Sequence, residues 1–86
     1  VELRTLALSG PDAEADAVAA ALSSALRPED ELVTVILGRD AMPDVGALAA
    51  EAVTRYGERA LGDPDAIEVV IHAGGQARPD VLLALE

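Results

Sequence analysis

Residues that could do chemistry gather in one short stretch of the sequence. His72, Gly74, Gly75 and Gln76 follow an apolar segment, residues 67–71, whose β-branched side chains predict a strand. Two consecutive glycines let the backbone reach positive φ or pass close to another segment, which other residues do only at a cost. Ligands of open α/β sheets bind at the carboxyl ends of strands. The N–H groups of the two glycines and an exposed Gln76 side chain could therefore bind a small anion.

His72 is the one histidine of the chain. As a general base it needs an orienting acid, and Glu68, on the same side of the strand, is the candidate. As a metal ligand it would have only carboxylates beside it, which make a weak zinc site. A single histidine at a strand end is more often a surface or structural residue. We therefore predict no catalytic residue and no metal site.

Other motifs favour structural roles. The Gly-Gly-Gln turn is not a phosphate-binding loop, because the G-x-x-x-x-G-K-[ST] pattern is absent and no helix follows. The acidic run at residues 29–31 is typical of a solvated loop. Asp40 and Asp44 precede a predicted helix and are typical of its first turn and cap. We expect no cofactor in this segment.

Size and charge limit the partners. The chain has 86 residues, enough for a single domain, and a net charge of −10 from 6 basic and 16 acidic residues. Such a balance argues against nucleic acid, whose phosphates bind Lys and Arg, and against anionic membrane surfaces. No apolar run approaches 18 residues, so we expect no membrane insertion. Without cysteine or a signal peptide, the sequence suggests the cytoplasm.

The hydrophobic pattern predicts an α/β domain with the element order β-α-β-α-β-β. The predicted strands are 1–8, 32–37, 67–72 and 81–85, and the predicted helices are 13–26 and 43–56. Gly57–Asp65 is predicted as a loop, with an extra turn of helix at its start as the alternative. Strand-helix-strand units favour a mostly parallel sheet in a small sandwich. The connection before the last strand is too short for a parallel crossover, so that strand should be antiparallel.

The alternation of side chains gives the sheet two unlike faces. One face should meet the helices and consists of Val33, Val35, Leu37, Ile67, Val69, Ile71, Val81, Leu83 and Leu85. The other is mixed and consists of Leu32, Thr34, Ile36, Glu68, Val70, His72, Leu82, Ala84 and Glu86. If both helices cover one face, the mixed face is an uncovered, partly apolar patch of the kind that marks an interface. If the helices lie on opposite faces, no such patch exists. The sequence does not choose between the two.

Three segments taken together carry a family resemblance. They are L-S-G-P-D at residues 8–12, E-L-V-T-V-I-L-G-R-D-A at 31–41, and I-E-V-V-I-H-A-G-G-Q at 67–76 followed by a strand closing on L-E. In this order they resemble the C-terminal, DegV-like subdomain of the dihydroxyacetone-kinase-like proteins of the fatty-acid kinase A family. The resemblance covers residues 8–86.

The resemblance implies a non-catalytic C-terminal domain of a larger multidomain protein, and a chain that begins with Val1 fits such a fragment. ATP and magnesium would then bind a kinase domain elsewhere in the parent chain. The implied partners are the rest of that chain and a DegV-type fatty-acid-binding protein. Where the family continues G-G-Q-P-x-Y-P, this chain has Gln76-Ala77-Arg78-Pro79. The alternative function is a small-ligand or anion-binding domain that uses the Gly-Gly-Gln turn.

Overall fold

Four strands and two α-helices form the domain in the computed structural model, which describes residues 3–86. The elements are β1 Arg4–Leu8, α1 Ala15–Ala25, β2 Leu32–Leu37, α2 Val45–Tyr56, β3 Glu68–Ala73 and β4 Val81–Leu85. The α/β class is as predicted. The first two residues of the predicted first strand lie outside the described residues.

Two short helices add to the predicted order. A 3₁₀ helix at Gly10–Ala13 precedes α1, and extended backbone at Glu14 separates the two, so α1 begins two residues later than predicted. A π-helical turn at Gly57–Leu61 continues α2, which is the extra helical turn given as the alternative for the start of this loop. Gly62 ends this turn in the left-handed conformation, with φ of 68°, which glycine adopts at helix ends without steric cost.

The strands are arranged in the order β1-β4-β2-β3. Strand β4 lies between β1 and β2 and is antiparallel to both, while β2 and β3 are parallel. The antiparallel direction of the last strand is therefore confirmed, but the prediction of a mostly parallel sheet is wrong. The prediction fails because β4 lies between β1 and β2, the two strands that α1 connects. A parallel pairing of β1 with β2 is thereby replaced by two antiparallel pairings with β4.

Both helices lie on one face of the sheet. They pack against each other and share one core with the inward side chains of β2 and β4. Handedness explains this arrangement, because β1 to β2 and β2 to β3 both progress in the same direction across the sheet. Two right-handed crossovers that progress in one direction place their helices on the same side. The uncovered sheet face, one of the two alternatives that the sequence allowed, is therefore present.

The core consists of aliphatic side chains from both layers. Those with the least exposure are Val18, Leu22, Val33, Val35, Val45, Val53, Val81, Leu83 and Leu85. The predicted helix-facing set is correct for β2 and β4 except that Leu37 is only half-buried. The set is also correct for Ile71, which lies on the helix-facing side, although its residue surface is 45% exposed. Ile71 belongs to the edge strand β3 and contacts α2 near Gly46, beyond which no further element covers it.

A buried carboxylate ties β1 to the loop after α1. Asp30 is 3% exposed, its carboxylate contacts the Arg4 guanidinium, and the backbone N–H of Arg27 donates to its Oδ2 at 2.8 Å. Arg4 Nη1 also donates to the carbonyl of Ala25 at the end of α1. The interpretation of residues 29–31 as a solvated loop is therefore wrong for Asp30. A buried charge needs such partners, because desolvation without them is costly.

Candidate functional site

The Gly-Gly-Gln turn is fastened to the end of β2. The N–H groups of Gly74 and Gly75 both donate to the carbonyl of Leu37, at 2.8 and 3.3 Å, and Arg39 N–H donates to the carbonyl of Gln76 at 2.9 Å. Gly75 has φ of 69°, a left-handed conformation that favours glycine. The turn thus carries the chain out of β3 and back across its neighbour.

Residues 74–80 pass over the end of β2 on their way to β4. At the crossing, Gly38 N–H donates to the carbonyl of Asp80 at 2.7 Å. A Cβ at Gly38 would lie 2.8 Å from the carbonyl oxygens of both Pro79 and Asp80, so only glycine fits beneath this loop. Gly38 is not among the predicted site residues, although its place directly after an apolar run is the sequence signal for a close crossing of the backbone.

The polar side chains of the loop form hydrogen bonds and an ion pair within the protein. Gln76 Nε2 donates to the carbonyl of Pro79 at 3.2 Å, and Gln76 is half-buried instead of exposed. Asp80 accepts the N–H of Gly10 at 3.0 Å and pairs with Arg78 at 3.5 Å. The N–H groups and the amide that an anion would require already have partners within the protein.

His72 lies exposed on β3, opposite Ile36 of β2. Glu68 is four residues away on the same strand, a separation of about 13 Å at a rise of roughly 3.3 Å per residue. That distance prevents Glu68 from orienting the imidazole. Within residues 3–86, no group of three or more His, Asp or Glu side chains could hold a metal ion. The predicted site residues therefore adjoin one another in the chain without converging on a reaction centre.

The face of the sheet opposite the helices has its own composition. We call it the open face and define it as Thr5, Ala7, Leu32, Thr34, Ile36, Glu68, Val70, His72, Leu82, Ala84 and Glu86. The strand register orders most of them in two rows across the sheet, Ala7-Leu82-Ile36-His72 and Thr5-Ala84-Thr34-Val70. The centre of the open face is apolar, since its large side chains there are aliphatic.

The Gly-Gly-Gln turn borders one corner of the open face. A Cβ at Gly74 would lie 2.6 Å from Ile36 Cγ2 and would also overlap the Gln76 side chain. The turn therefore packs against the Ile36 side chain and partly covers it. His72 and the turn, predicted as a ligand site, belong to the border of this larger surface.

Two hollows lie beside the helices, and the second includes one residue of the open face, Glu68. One, of about 310 Å³, runs between α1 and α2 and is lined by Asp16, Ala19, Ser23, Leu48, Glu51, Ala52, Arg55 and Arg59. The other, of about 490 Å³, lies beside α2 and β3 and is lined by Ala50, Thr54, Pro64, Asp65, Ile67, Glu68 and Val69. Neither contains His72 or a residue of the turn. Arg55 in the first hollow is paired with Glu51 one helical turn away.

Comparison with protein-family models and with curated proteins finds no match for this chain. Within residues 3–86, none of the helices has the length and apolar character needed to cross a membrane.

Proposed function

We propose that this domain is a non-catalytic C-terminal domain of a fatty-acid-kinase-like protein, where it holds domains of the parent together or docks a DegV-type fatty-acid-binding partner. The observation that carries the proposal is the open face. Its aliphatic centre, formed by Ile36, Val70 and Leu82, is half-buried, and no second layer of residues 3–86 lies over it. Apolar patches of this kind on small domains are typical of interaction surfaces.

The sheet itself supports an interaction role. Sheets made only of parallel strands are almost always covered on both faces, whereas antiparallel sheets often leave one face to solvent. Here β2 and β3 are parallel, and both helices lie on the same side. The residue types support the same role, because the described part of the chain contains no converging acid, base or nucleophile. In this proposal ATP and magnesium bind elsewhere in the parent, and the protein works in the cytoplasm.

Deleting the domain from the parent protein tests the proposal. We expect the deletion to weaken binding of the DegV-type partner, or to abolish phosphorylation of the fatty acid that the partner presents. ATP binding to the remaining kinase domain is the control, since the proposal places no nucleotide contact in this segment. Unchanged partner binding together with unchanged phosphorylation would refute both forms of the proposal.

A further inference from the structure

The open face has the dimensions of one helix. Four strands about 4.8 Å apart, each about five residues long at roughly 3.3 Å per residue, give a footprint near 19 by 17 Å, or roughly 300 Å². An α-helix is about 10 Å wide and rises about 1.5 Å per residue, so about twelve residues span the length of the strands. Such a helix would cover the two central strands, β4 and β2, which carry Leu82 and Ile36.

The footprint is small for an association between separate proteins. A stable interface buries about 800 Å² on each partner, more than twice what this face offers. A second copy of the chain would also bring a further net charge of −10 against the first. Domains of one polypeptide, in contrast, are held at high effective concentration by their linker and associate through smaller contacts. The area therefore favours a covalently linked occupant.

The open face is negatively charged at one end. Glu86 and Leu32 exchange backbone hydrogen bonds of 2.9 and 3.0 Å, and Leu32 pairs with Glu68 on its other side. The two glutamates, both exposed, thus flank Leu32 across three strands at a separation of about 10 Å. At the other end the same face carries His72. An occupant that places Lys or Arg over Leu32 would neutralise both carboxylates at once.

We propose that the open face binds an amphipathic helix supplied by another domain of the same polypeptide, with an apolar stripe over Leu82 and Ile36 and a basic residue between Glu68 and Glu86. The inference rests on the proposed function, since it assumes a multidomain parent. It goes further by naming the surface, the occupant and the charges that orient it. The helix would cover the second face of the sheet, including part of its parallel pair.

The absence of cysteine allows a direct test. Thr34→Cys in the full-length polypeptide places a single thiol from this domain at the centre of the open face, and Ser23→Cys places one on the exposed side of α1. Other thiols of the polypeptide are replaced by serine. We expect a maleimide to modify Cys at position 34 at least tenfold more slowly than at position 23. Ala84→Cys, in the same row as Thr34, serves as a second reporter if Thr34→Cys folds poorly.

Charge reversal separates protection by the occupant from local packing. Glu68→Arg with Glu86→Arg should raise the reactivity at position 34 at least fivefold, because both carboxylates would then repel the basic residue. Glu58→Arg, on the exposed π-helical turn, should leave that reactivity unchanged. The rate at position 23 should stay constant in every variant, and an unchanged circular dichroism spectrum shows that the domain remains folded.

Several results would overturn the inference. Equal reactivity at positions 34 and 23, or no response to the charge reversal, would show that no basic helix covers the open face. Protection that appears only when a DegV-type protein is added would assign the face to a separate partner. Protection that depends on protein concentration would assign it to a second copy. The proposed function itself fails on a different readout, the deletion experiment.

Discussion

Gly38 offers the sharpest test of how the structure positions the loop that borders the open face. A Cβ at this residue would lie 2.8 Å from two backbone carbonyl oxygens, whereas ordinary contact begins at 3.4 Å. The loop at Pro79 and Asp80 would therefore have to retreat by about 0.6 Å. Backbone cannot rotate away as a side chain can, so Gly38→Ala also strains the 2.7 Å hydrogen bond from Gly38 N–H to Asp80.

The expected cost of Gly38→Ala is about 1–3 kcal/mol, the usual range for overpacking a well-packed site. Gly46→Ala is the matched control. Its Cβ would lie 3.4 Å from side-chain atoms of Ile71, an ordinary contact, and the residue lies within α2. Alanine is favoured over glycine in a helix by about 1 kcal/mol, so Gly46→Ala should be neutral or stabilising.

Urea unfolding followed by circular dichroism measures both variants. Gly38→Ala should lower the midpoint with an unchanged m-value, since the same surface is exposed on unfolding. Gly46→Ala should leave the midpoint unchanged or raise it. A Gly38→Ala protein as stable as the original chain would refute the close crossing of the loop over β2.

The remaining predictions concern the buried ion pair, the loop amide and the anion hypothesis. Asp30→Ala removes the buried carboxylate that accepts from the Arg4 guanidinium and from the Arg27 N–H, and should cost about 3 kcal/mol in urea unfolding. Glu51→Ala, which breaks an exposed pair one helical turn long, should cost only about 0.3–0.5 kcal/mol; equal effects would contradict the burial of Asp30. Gln76→Ala removes the bond to the Pro79 carbonyl and should cost about 1 kcal/mol in the same assay, and no change would refute that contact. Inorganic phosphate and acyl phosphates should not raise the melting temperature, because the N–H groups of the turn donate to the protein; a dose-dependent rise would restore the anion hypothesis.

The Gly-Gly-Gln turn has a clear structural role within the described residues. Its N–H groups donate to Leu37, its glutamine amide donates to Pro79, and its first glycine leaves room for Ile36. These contacts let seven residues carry the chain across β2 and back into the centre of the sheet. Any role in docking would then follow from its position at the border of the open face.

Local sequence determined most of the elements and their faces. The unbroken β-branched run at β2 and the helical spacing of apolar residues in α2 predicted both elements with nearly correct bounds. Each pattern is typical of one kind of secondary structure and is visible in neighbouring residues alone. The short connection before β4 likewise predicted an antiparallel last strand, since a parallel crossover needs more residues. The alternation along β2, β3 and β4 also assigned nine of the eleven residues of the open face, all except Thr5 and Ala7 of β1, although not whether anything covers them.

Tertiary structure alone decided where β4 lies, which side the helices occupy and what the polar residues contact. Insertion of β4 between β1 and β2 depends on contacts between residues far apart in the chain. A periodic pattern describes only neighbouring residues, so it does not predict such contacts. It makes the sheet mostly antiparallel, and the common direction of both crossovers leaves one face bare. For the same reason the acidic run could not show that Asp30 is buried against Arg4, 26 residues earlier in the chain. Sequence alone therefore determined the elements and the polarity of their faces, and only packing over long distances placed both helices on one side of the sheet.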